Sequence, residues 1–151
     1  MKNIIKFIAS FGYLGYVPFI PGTAGSLGAL VLYLLCQGNF FVHTAALLVI
    51  TLAGFLVCAP AEKLFARKDA AQIVIDEAAG IFLAFWAVPV DNTLIAVGFV
   101  IFRALDAAKV FPVNKMEKLP GALGIMGDDL LAAGYTNIVL QIVTRVFLRM
   151  G

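Results

Sequence analysis

Long stretches without a charged residue dominate the chain. None stands between Phe7 and Ala61, and shorter uncharged runs cover Ala78–Val90, Asn92–Phe102 and Leu130–Thr144. A membrane-spanning helix needs about 20 mostly apolar residues. The first stretch is therefore long enough for two crossings, and each later run suffices for one if its flanking polar residues reach the headgroups. We expect an all-α fold, a polytopic membrane bundle of about four to five apolar helices.

Small and polar residues mark the predicted turns. Gln37–Asn39 separates Ser26–Cys36 from Phe40–Ala59, which predicts a helical hairpin. Pro89–Asn92 is the predicted turn between helices three and four. Lys2–Phe11 predicts an amphipathic helix on the membrane surface. Its apolar side carries Ile4, Ile5, Ile8 and Phe11, opposite Lys2 and Lys6.

Composition narrows the class of protein. The 151 residues are 62% hydrophobic and 13% charged, with a mean hydropathy of +1.00, whereas soluble domains carry about 25% charged residues. A disordered chain, a collagen-like fibre and a small disulfide scaffold are excluded. The net charge of +2 is too small for a nucleic-acid-binding surface. The length fits a single domain, residues 1–151.

Basic residues predict the orientation. They fall in three alternate non-spanning segments, namely Lys2 and Lys6, then Lys63, Arg67 and Lys68, then Lys109, Lys115 and Lys118. The positive-inside rule places these segments in the cytoplasm. Arg145 and Arg149 are exceptions, because a fifth crossing carries them to the far side unless they snorkel or the helix stops short.

Three isolated polar side chains have unremarkable interpretations. Cys36 and Cys58 lie in apolar helical stretches without metal-ligand spacing, which predicts packed thiols. His43 stands alone beside a turn, and we interpret it as an interfacial polar residue.

Four polar clusters interrupt the apolar pattern, and the first two differ in character. Pro21–Ser26 combines glycines and hydroxyls before an apolar helix that begins at Leu27, and this combination can bind an anion. A plain loop in which Thr23 or Ser26 caps the helix explains the same residues equally well. In the second cluster, Asp76 and Glu77 are adjacent carboxylates between apolar residues. Their charges repel each other, and their apolar surroundings remove hydration. A divalent cation relieves the repulsion better than the amino terminus of a helix does.

The other two clusters combine acids with basic or flexible segments. Arg103, Asp106 and Lys109 are three apart, so neighbours share a helix flank. They form either a ladder of ion pairs or a metal ligand beside two phosphate-binding cations. In the fourth, Asp128 and Asp129 follow a glycine-bearing loop, and helix capping explains only one of them.

Topology brings the clusters together. All four fall on the predicted cytoplasmic side, and oxygen ligands without His or Cys select Mg²⁺ or Mn²⁺. We therefore predict one site for phosphate chemistry at a membrane surface. The candidate metal ligands are Asp76, Glu77, Asp106, Asp128 and Asp129, and the candidate phosphate-binding residues are Thr23, Ser26, Arg103 and Lys109.

The four motifs, in order, resemble the phosphatidylglycerophosphatase A family. They are Pro21–Ser26, Ile75–Gly80, Phe102–Lys109 and Gly124–Ala132, within a match that runs roughly from Gly12 to Tyr135. The resemblance implies a multi-pass enzyme of the bacterial inner membrane with its site on the cytoplasmic side. It implies Mg²⁺-dependent removal of the terminal phosphate of phosphatidylglycerophosphate, giving phosphatidylglycerol.

By the same resemblance the motif residues acquire roles. The carboxylates hold one or two metal ions, and the candidate catalytic residues are Asp129, Asp76 and Asp106. Asp129 is the first choice to activate water or to attack phosphorus directly.

Departures from the family pattern concern loop shape. Val110 stands where proline is frequent, Ala122 where a second glycine is usual, and Gly127 where a larger apolar residue is usual. The family has a soluble all-helical branch, which the long uncharged stretch argues against here.

Two other functional classes remain open. A phosphatidyl transferase also gathers carboxylates at a membrane face, but its Asp-Gly-x-x-Ala-Arg opening is absent. A small transporter or structural membrane protein needs polar residues throughout the membrane depth, whereas these clusters fall at one end.

Overall fold

Regular structure in the described part of the chain is helical, as predicted. The computed structural model describes residues 1–89, 91–109, 111–116 and 118–150, with side chains as far as residue 146. A short 3₁₀ turn at Leu14–Tyr16 follows the first helix. The α-helices are α1 (Lys2–Ala9), α2 (Pro21–Cys36), α3 (Phe40–Phe65), α4 (Ile75–Ala84), α5 (Asn92–Ala108), α6 (Val113–Met116) and α7 (Ala122–Met150).

The predicted helical hairpin of α2 and α3 is confirmed, with longer arms than predicted. α2 begins at Pro21 rather than Ser26, because proline suits the first helical position, where its missing N–H has no acceptor in any case. Asn39 caps α3 by accepting hydrogen bonds from two backbone N–H groups of its first turn at 3.0 and 3.2 Å. α3 then continues past Ala59 to Phe65.

The third predicted crossing differs most from the structure. The uncharged run Ala78–Val90 predicts a spanning helix, whereas α4 ends at Ala84 and has ten residues; Val90 itself lies outside the described residues. Ten residues extend about 15 Å, half the thickness of a hydrocarbon core. Eight of the ten are buried, because α2, α3 and α7 pack around this helix. α4 is a short core helix.

Polar side chains from two other helices terminate α4. His43 of α3 places Nε2 at 2.8 Å from the carbonyl oxygen of Phe82. Asn137 of α7 donates from Nδ2 to the carbonyls of Ala84 and Trp86, at 3.1 and 2.7 Å. The last carbonyls of a helix lack partners within it, and burying them unpaired is costly. His43 is 5% exposed, so it is a buried cap of α4 and not the interfacial residue that the sequence suggests.

An aromatic cluster fills the core at this end of α4. The Tyr33 ring stacks on Phe85 with centroids 4.9 Å apart and meets Phe82 edge-on at 6.3 Å. All three side chains are at most 1% exposed. The cluster therefore closes the interior between the first turn of α4 and the opposite end of the bundle.

The remaining long helices begin with different signals. Asp91 caps α5 by accepting from two N–H groups at 2.8 and 2.9 Å, so the chain turns where Pro89–Asn92 predicts. α7 begins at Ala122, eight residues before the uncharged run from Leu130. Because α7 begins this early, Asp128 and Asp129 of the fourth cluster lie inside the helix.

The helix predicted at Lys2–Phe11 is confirmed as α1, which ends at Ala9; its location on a membrane surface stays a prediction. Ile5 and Ile8 pack against the core, while Ile4 is 62% exposed. The carbonyl of Ala9 accepts a hydrogen bond from the N–H of Val74 at 2.9 Å. This bond ties the end of α1 to the residue that precedes α4.

Both cysteines are free thiols, as predicted. Cys58 is buried within α3, and Cys36 is half-buried at the end of α2.

Among the described residues, one helix is long and apolar enough to cross a membrane, namely Phe40–Phe65. α2 is apolar but has 16 residues. Large apolar side chains on both helices face outward, including Leu35, Phe41 and Leu56 at 75–81% exposure. The four to five crossings stay a prediction, as does the location of Arg145 beyond the far side; the side chain of Arg149 lies outside the described part.

The caps of α4 generate a stability prediction. Asn137→Leu keeps the side-chain volume but leaves the Ala84 carbonyl without its partner, at a cost of about 1–3 kcal/mol. Each kcal/mol corresponds to about 2–4 °C for a domain of this size, so we expect Tm in detergent to fall by several degrees. Ile138→Ala, at an exposed neighbouring position, is the control. Equal Tm values for the two variants contradict the capping role.

Candidate active site

A polar cavity of about 250 Å³ lies where α2 and α4 begin and α5 ends. Its backbone wall includes Pro21 and Gly22 at the start of α2. Its charged lining residues are Asp69, Asp76, Glu77, Asp106, Lys109, Asp128 and Asp129. All four sequence clusters thus contribute to one cavity, as predicted.

Three of the five predicted metal ligands converge. One carboxylate oxygen from each of Asp76, Glu77 and Asp129 lies within 4.8 Å of the others. Asp76 and Asp129 are 7% and 4% exposed. The first two belong to the first turn of α4, whose partial positive charge favours carboxylates. α7 supplies the third from the opposite wall.

Unpartnered oxygens show that this trio suits a cation. Oε2 of Glu77 and Oδ2 of Asp129 are buried without a hydrogen-bond partner, whereas buried polar atoms are nearly always paired. A divalent ion with oxygen ligands supplies the missing interaction. The residues therefore fit a hard metal ion.

Electrostatics favour the same interpretation. Burial raises the pKa of Asp76 well above its usual range, and the charges of Glu77 and Asp129 raise it further. Burial is also the main cause of the raised pKa of Asp129, to which Glu77 and Asp106 add. Without a metal ion the trio holds its negative charge at a cost.

The other two predicted ligands are paired with basic side chains. Arg103 Nη1 lies 2.6 Å from Asp106 Oδ2, and Lys109 Nζ lies 3.0 Å from Asp128 Oδ2. The first contact is the ion pair that the three-residue spacing allowed. The second joins residues 19 apart in sequence, which spacing alone does not reveal. Among the described residues, Asp106 and Asp128 lie outside the trio and border it.

The first cluster is helical and not a loop. Pro21–Ser26 forms the first turns of α2, and the helix has no side-chain cap. Ser26 is fully buried and its Oγ donates to the carbonyl of Gly22 at 2.8 Å. Neither Ser26 nor Thr23 is among the described residues that line the cavity. The cluster instead presents backbone N–H groups, which lack acceptors at a helix start.

Gly22 is the point of closest approach between α2 and the trio. A Cβ atom at this position would clash with Oε1 of Glu77 and would stand 3.4 Å from Nη2 of Arg103. Only glycine lets the α2 backbone lie this close to the carboxylates.

The fourth cluster also differs from its predicted form. Asp128 and Asp129 lie in the second turn of α7, since the helix begins at Ala122, so neither caps it. A Cβ at Gly127 would stand 2.6 Å from Cε of Met116. The glycine at this position, a departure from the family pattern, therefore leaves room for the Met116 side chain. Val110, another departure, lies outside the described residues.

Sequence reasoning missed Asp69 as a cavity residue. It follows α3, has a left-handed backbone with φ of 46°, and donates its N–H to Oε1 of Glu62 at 2.8 Å. Its charge helps to raise the pKa of Asp128. The sequence did contain one signal. Asp69 is an acidic residue in the basic segment that the positive-inside rule assigns to the same side as the four clusters.

Fold and site together define a class: a helical protein with a buried carboxylate cation site beside basic side chains. The model of the phosphatidylglycerophosphatase A family matches residues 7–144 of this chain. The chain therefore belongs to the phosphatidylglycerophosphatase A family.

Individual relatives align over part of their length. A phosphatidylglycerophosphatase A of Haemophilus influenzae is 37% identical over 91 residues, 59% of this chain and 56% of the relative. Its Escherichia coli namesake is 36% identical over 81 residues, 52% and 47%. A Bacteroides thetaiotaomicron protein provisionally named a phosphatidylinositol-3-phosphatase is 36% identical over 104 residues, 66% and 64%. The chain thus spans about half to two thirds of these relatives. No solved structure is significantly similar.

Repulsion within the trio predicts a stabilising substitution. In metal-free protein, Asp129→Asn removes one of three mutually repelling buried charges, so we expect a higher Tm in detergent, by about 2–4 °C for each kcal/mol relieved. Asp91→Asn is the matched control, since asparagine caps a helix as well as aspartate does. A lower Tm for Asp129→Asn, with the control unchanged, indicates a net stabilising role for this carboxylate.

Proposed function

We propose that this protein is a Mg²⁺-dependent lipid phosphatase that hydrolyses the terminal phosphate of phosphatidylglycerophosphate to give phosphatidylglycerol. The observation that carries the proposal is the trio of clustered carboxylates, two of which have a buried oxygen without a partner, facing the start of α2 across a small cavity. Family membership supports the reaction and the substrate class. Mn²⁺ is the expected substitute ion.

Asp76, Glu77 and Asp129 would hold the metal. When bound, such an ion stabilises negative charge on a phosphoryl group and orients it. Asp106 and Asp128 pair with Arg103 and Lys109 at the border of the trio.

The phosphate oxygens would bind at the start of α2. The N–H groups of Gly22 and Thr23 have no acceptor within the helix, and the helix dipole favours an anion there. Lys109 lines the same cavity and Arg103 lies beside Gly22. These donors neutralise charge as the phosphoester bond breaks. The backbone of Thr23, more than the hydroxyls of Thr23 and Ser26, would serve this role.

Asp129 is the proposed base or nucleophile, because burial and its neighbours raise the pKa of this carboxyl and Oδ2 has no partner. In one route Asp129 takes a proton from water as the water oxygen bonds to phosphorus. In the other, Asp129 itself bonds to phosphorus and water later cleaves the acyl phosphate. In both routes the bond from phosphorus to the glycerol oxygen breaks and that oxygen receives a proton, from Asp129 in the first route and from water in the second.

The proposed location is the bacterial inner membrane, with the cavity on the cytoplasmic side. α3 is long and apolar enough to cross, and outward-facing apolar side chains on α2, α5 and α7 continue its surface. Lys6 lies 5.9 Å from the Phe65 ring at the end of α3, four residues before the cavity residue Asp69, and the positive-inside rule assigns such basic segments to the cytoplasm.

Activity measurements test the proposal directly. The full-length protein in detergent should release inorganic phosphate from phosphatidylglycerophosphate with Mg²⁺ and not in excess EDTA. Asp76→Asn and Asp129→Asn should each lower kcat by about 100-fold or more, since a catalytic metal contributes several kcal/mol and each 1.4 kcal/mol is tenfold. Asp91→Asn, far from the cavity, should retain activity.

The same assay separates the competing functions. Faster hydrolysis of phosphatidylinositol 3-phosphate would assign the activity named for the Bacteroides thetaiotaomicron relative. Headgroup transfer from a nucleotide-activated lipid, with no phosphate release, would assign a phosphatidyl transferase. Full turnover in EDTA would remove the metal from the mechanism.

The close approach at Gly22 predicts a change in metal affinity. Gly22→Ala forces Oε1 of Glu77 away from α2 and so spreads the trio. We expect the Mg²⁺ concentration that half-saturates the rise in Tm to increase about tenfold, because ligand binding raises stability by mass action. Gly134→Ala is the control, since a Cβ there meets open space. Identical midpoints for both variants contradict a role for Gly22 in positioning the trio.

A further inference from the structure

A second cavity, of about 450 Å³, lies between α1 and α3 and is lined by hydrocarbon. Phe7 and Phe11 come from α1 and the turn after it, Val49 and Ala53 from α3, and Ile75 from the start of α4. Among the described residues it has no charged lining side chain. We call this cavity the apolar groove. Its walls provide apolar contact and no hydrogen-bonding side chain.

The apolar groove and the polar cavity share a wall. Ile75 lines the groove and Asp76, the next residue, lines the polar cavity together with Ile73. Consecutive Cα atoms are about 3.8 Å apart, so the two cavities lie on either side of one chain segment. The hydrogen bond from Val74 to the carbonyl of Ala9 fixes α1 against this segment.

α1, which forms one wall of the groove, is an amphipathic helix that carries Lys2 and Lys6. Lys6 Nζ lies 5.9 Å from the centre of the Phe65 ring at the end of α3, twelve residues beyond the groove residue Ala53. Helices of this kind lie in the membrane interface with the apolar face toward the chains. Basic residues at that level attract anionic lipid headgroups.

We propose that the apolar groove binds an acyl chain of the anionic phospholipid whose phosphate enters the polar cavity. The proposal rests on the proposed function for the headgroup and adds the site of the chain. An acyl chain needs no hydrogen-bond partner, which matches the lining. The chain of a lipid also begins close to its headgroup, which matches the segment that the groove and the polar cavity share. The groove thus aligns the lipid so that its phosphate faces Asp76.

Substrates with and without chains test this proposal. We compare kcat/KM for the full lipid with kcat/KM for its deacylated headgroup, which carries the same phosphomonoester. Ala53→Phe fills the groove and should lower the ratio of the two values at least tenfold. Val49→Trp, at a position 66% exposed, narrows the groove without a buried clash and should act in the same direction. Leu52→Phe, on the same helix outside the groove, is the control.

Photolabelling gives a readout that does not depend on turnover. A phospholipid with a diazirine near its chain terminus should label residues 7–12 and 49–53, and Ala53→Phe should reduce that labelling. Localised labelling without phosphate release retains the groove and removes the proposed function. Any one of three results overturns the proposal. They are uniform labelling along the outward face of α3, an unchanged kcat/KM ratio in both groove variants, and an equal loss in Leu52→Phe.

Discussion

Mutual repulsion of three clustered carboxylates is the constraint around which this molecule is built. Asp76 and Asp129 are buried and Glu77 is half-buried, so little water remains to screen them. The fold offsets part of the cost with the start of α4 and with basic residues at the border of the trio. It does not pair every oxygen. The group therefore costs stability in the absence of a cation, which supports the proposed metal site.

α4 connects this constraint to the rest of the architecture. It is short, and eight of its ten residues are buried, so its first turn is held in the interior by helices on several sides. α2 approaches it at Gly22, α7 supplies the third acid, and α1 is tied to the residue before it. The polar cavity and the apolar groove therefore lie against the same few residues. The proposed headgroup and chain sites lie on two sides of one segment.

Much of the fold and of the candidate site was predictable from the charged residues. Placing a charge in an apolar sequence costs free energy, so the positions of these residues are informative. The hairpin, the turns predicted at Gln37–Asn39 and Pro89–Asn92, and the four clusters follow from local pattern. The convergence of the clusters followed from the placement of lysine and arginine. Local pattern does not show which acids converge and which form ion pairs, because the contact of Lys109 with Asp128 depends on the docking of α5 against α7.

Two errors of prediction share a physical cause. Nothing before Pro89 signals the end of α4, because the groups that end it, on His43 and Asn137, are distant in sequence. The glycines and hydroxyls of Pro21–Ser26 suggest a loop, yet the segment is helical, and its glycines allow close packing of Gly22 against Glu77 and of Gly25 against Val74. Asp69 was missed because its position depends on a turn after α3.

The aromatic cluster of Tyr33, Phe82 and Phe85 has a mechanical consequence for the site. Close-packed protein interiors have low compressibility and transmit strain. The three buried rings therefore anchor the last turn of α4 in a stiff layer. The first turn of the same helix, which carries Asp76 and Glu77, is supported from that layer when a ligand binds.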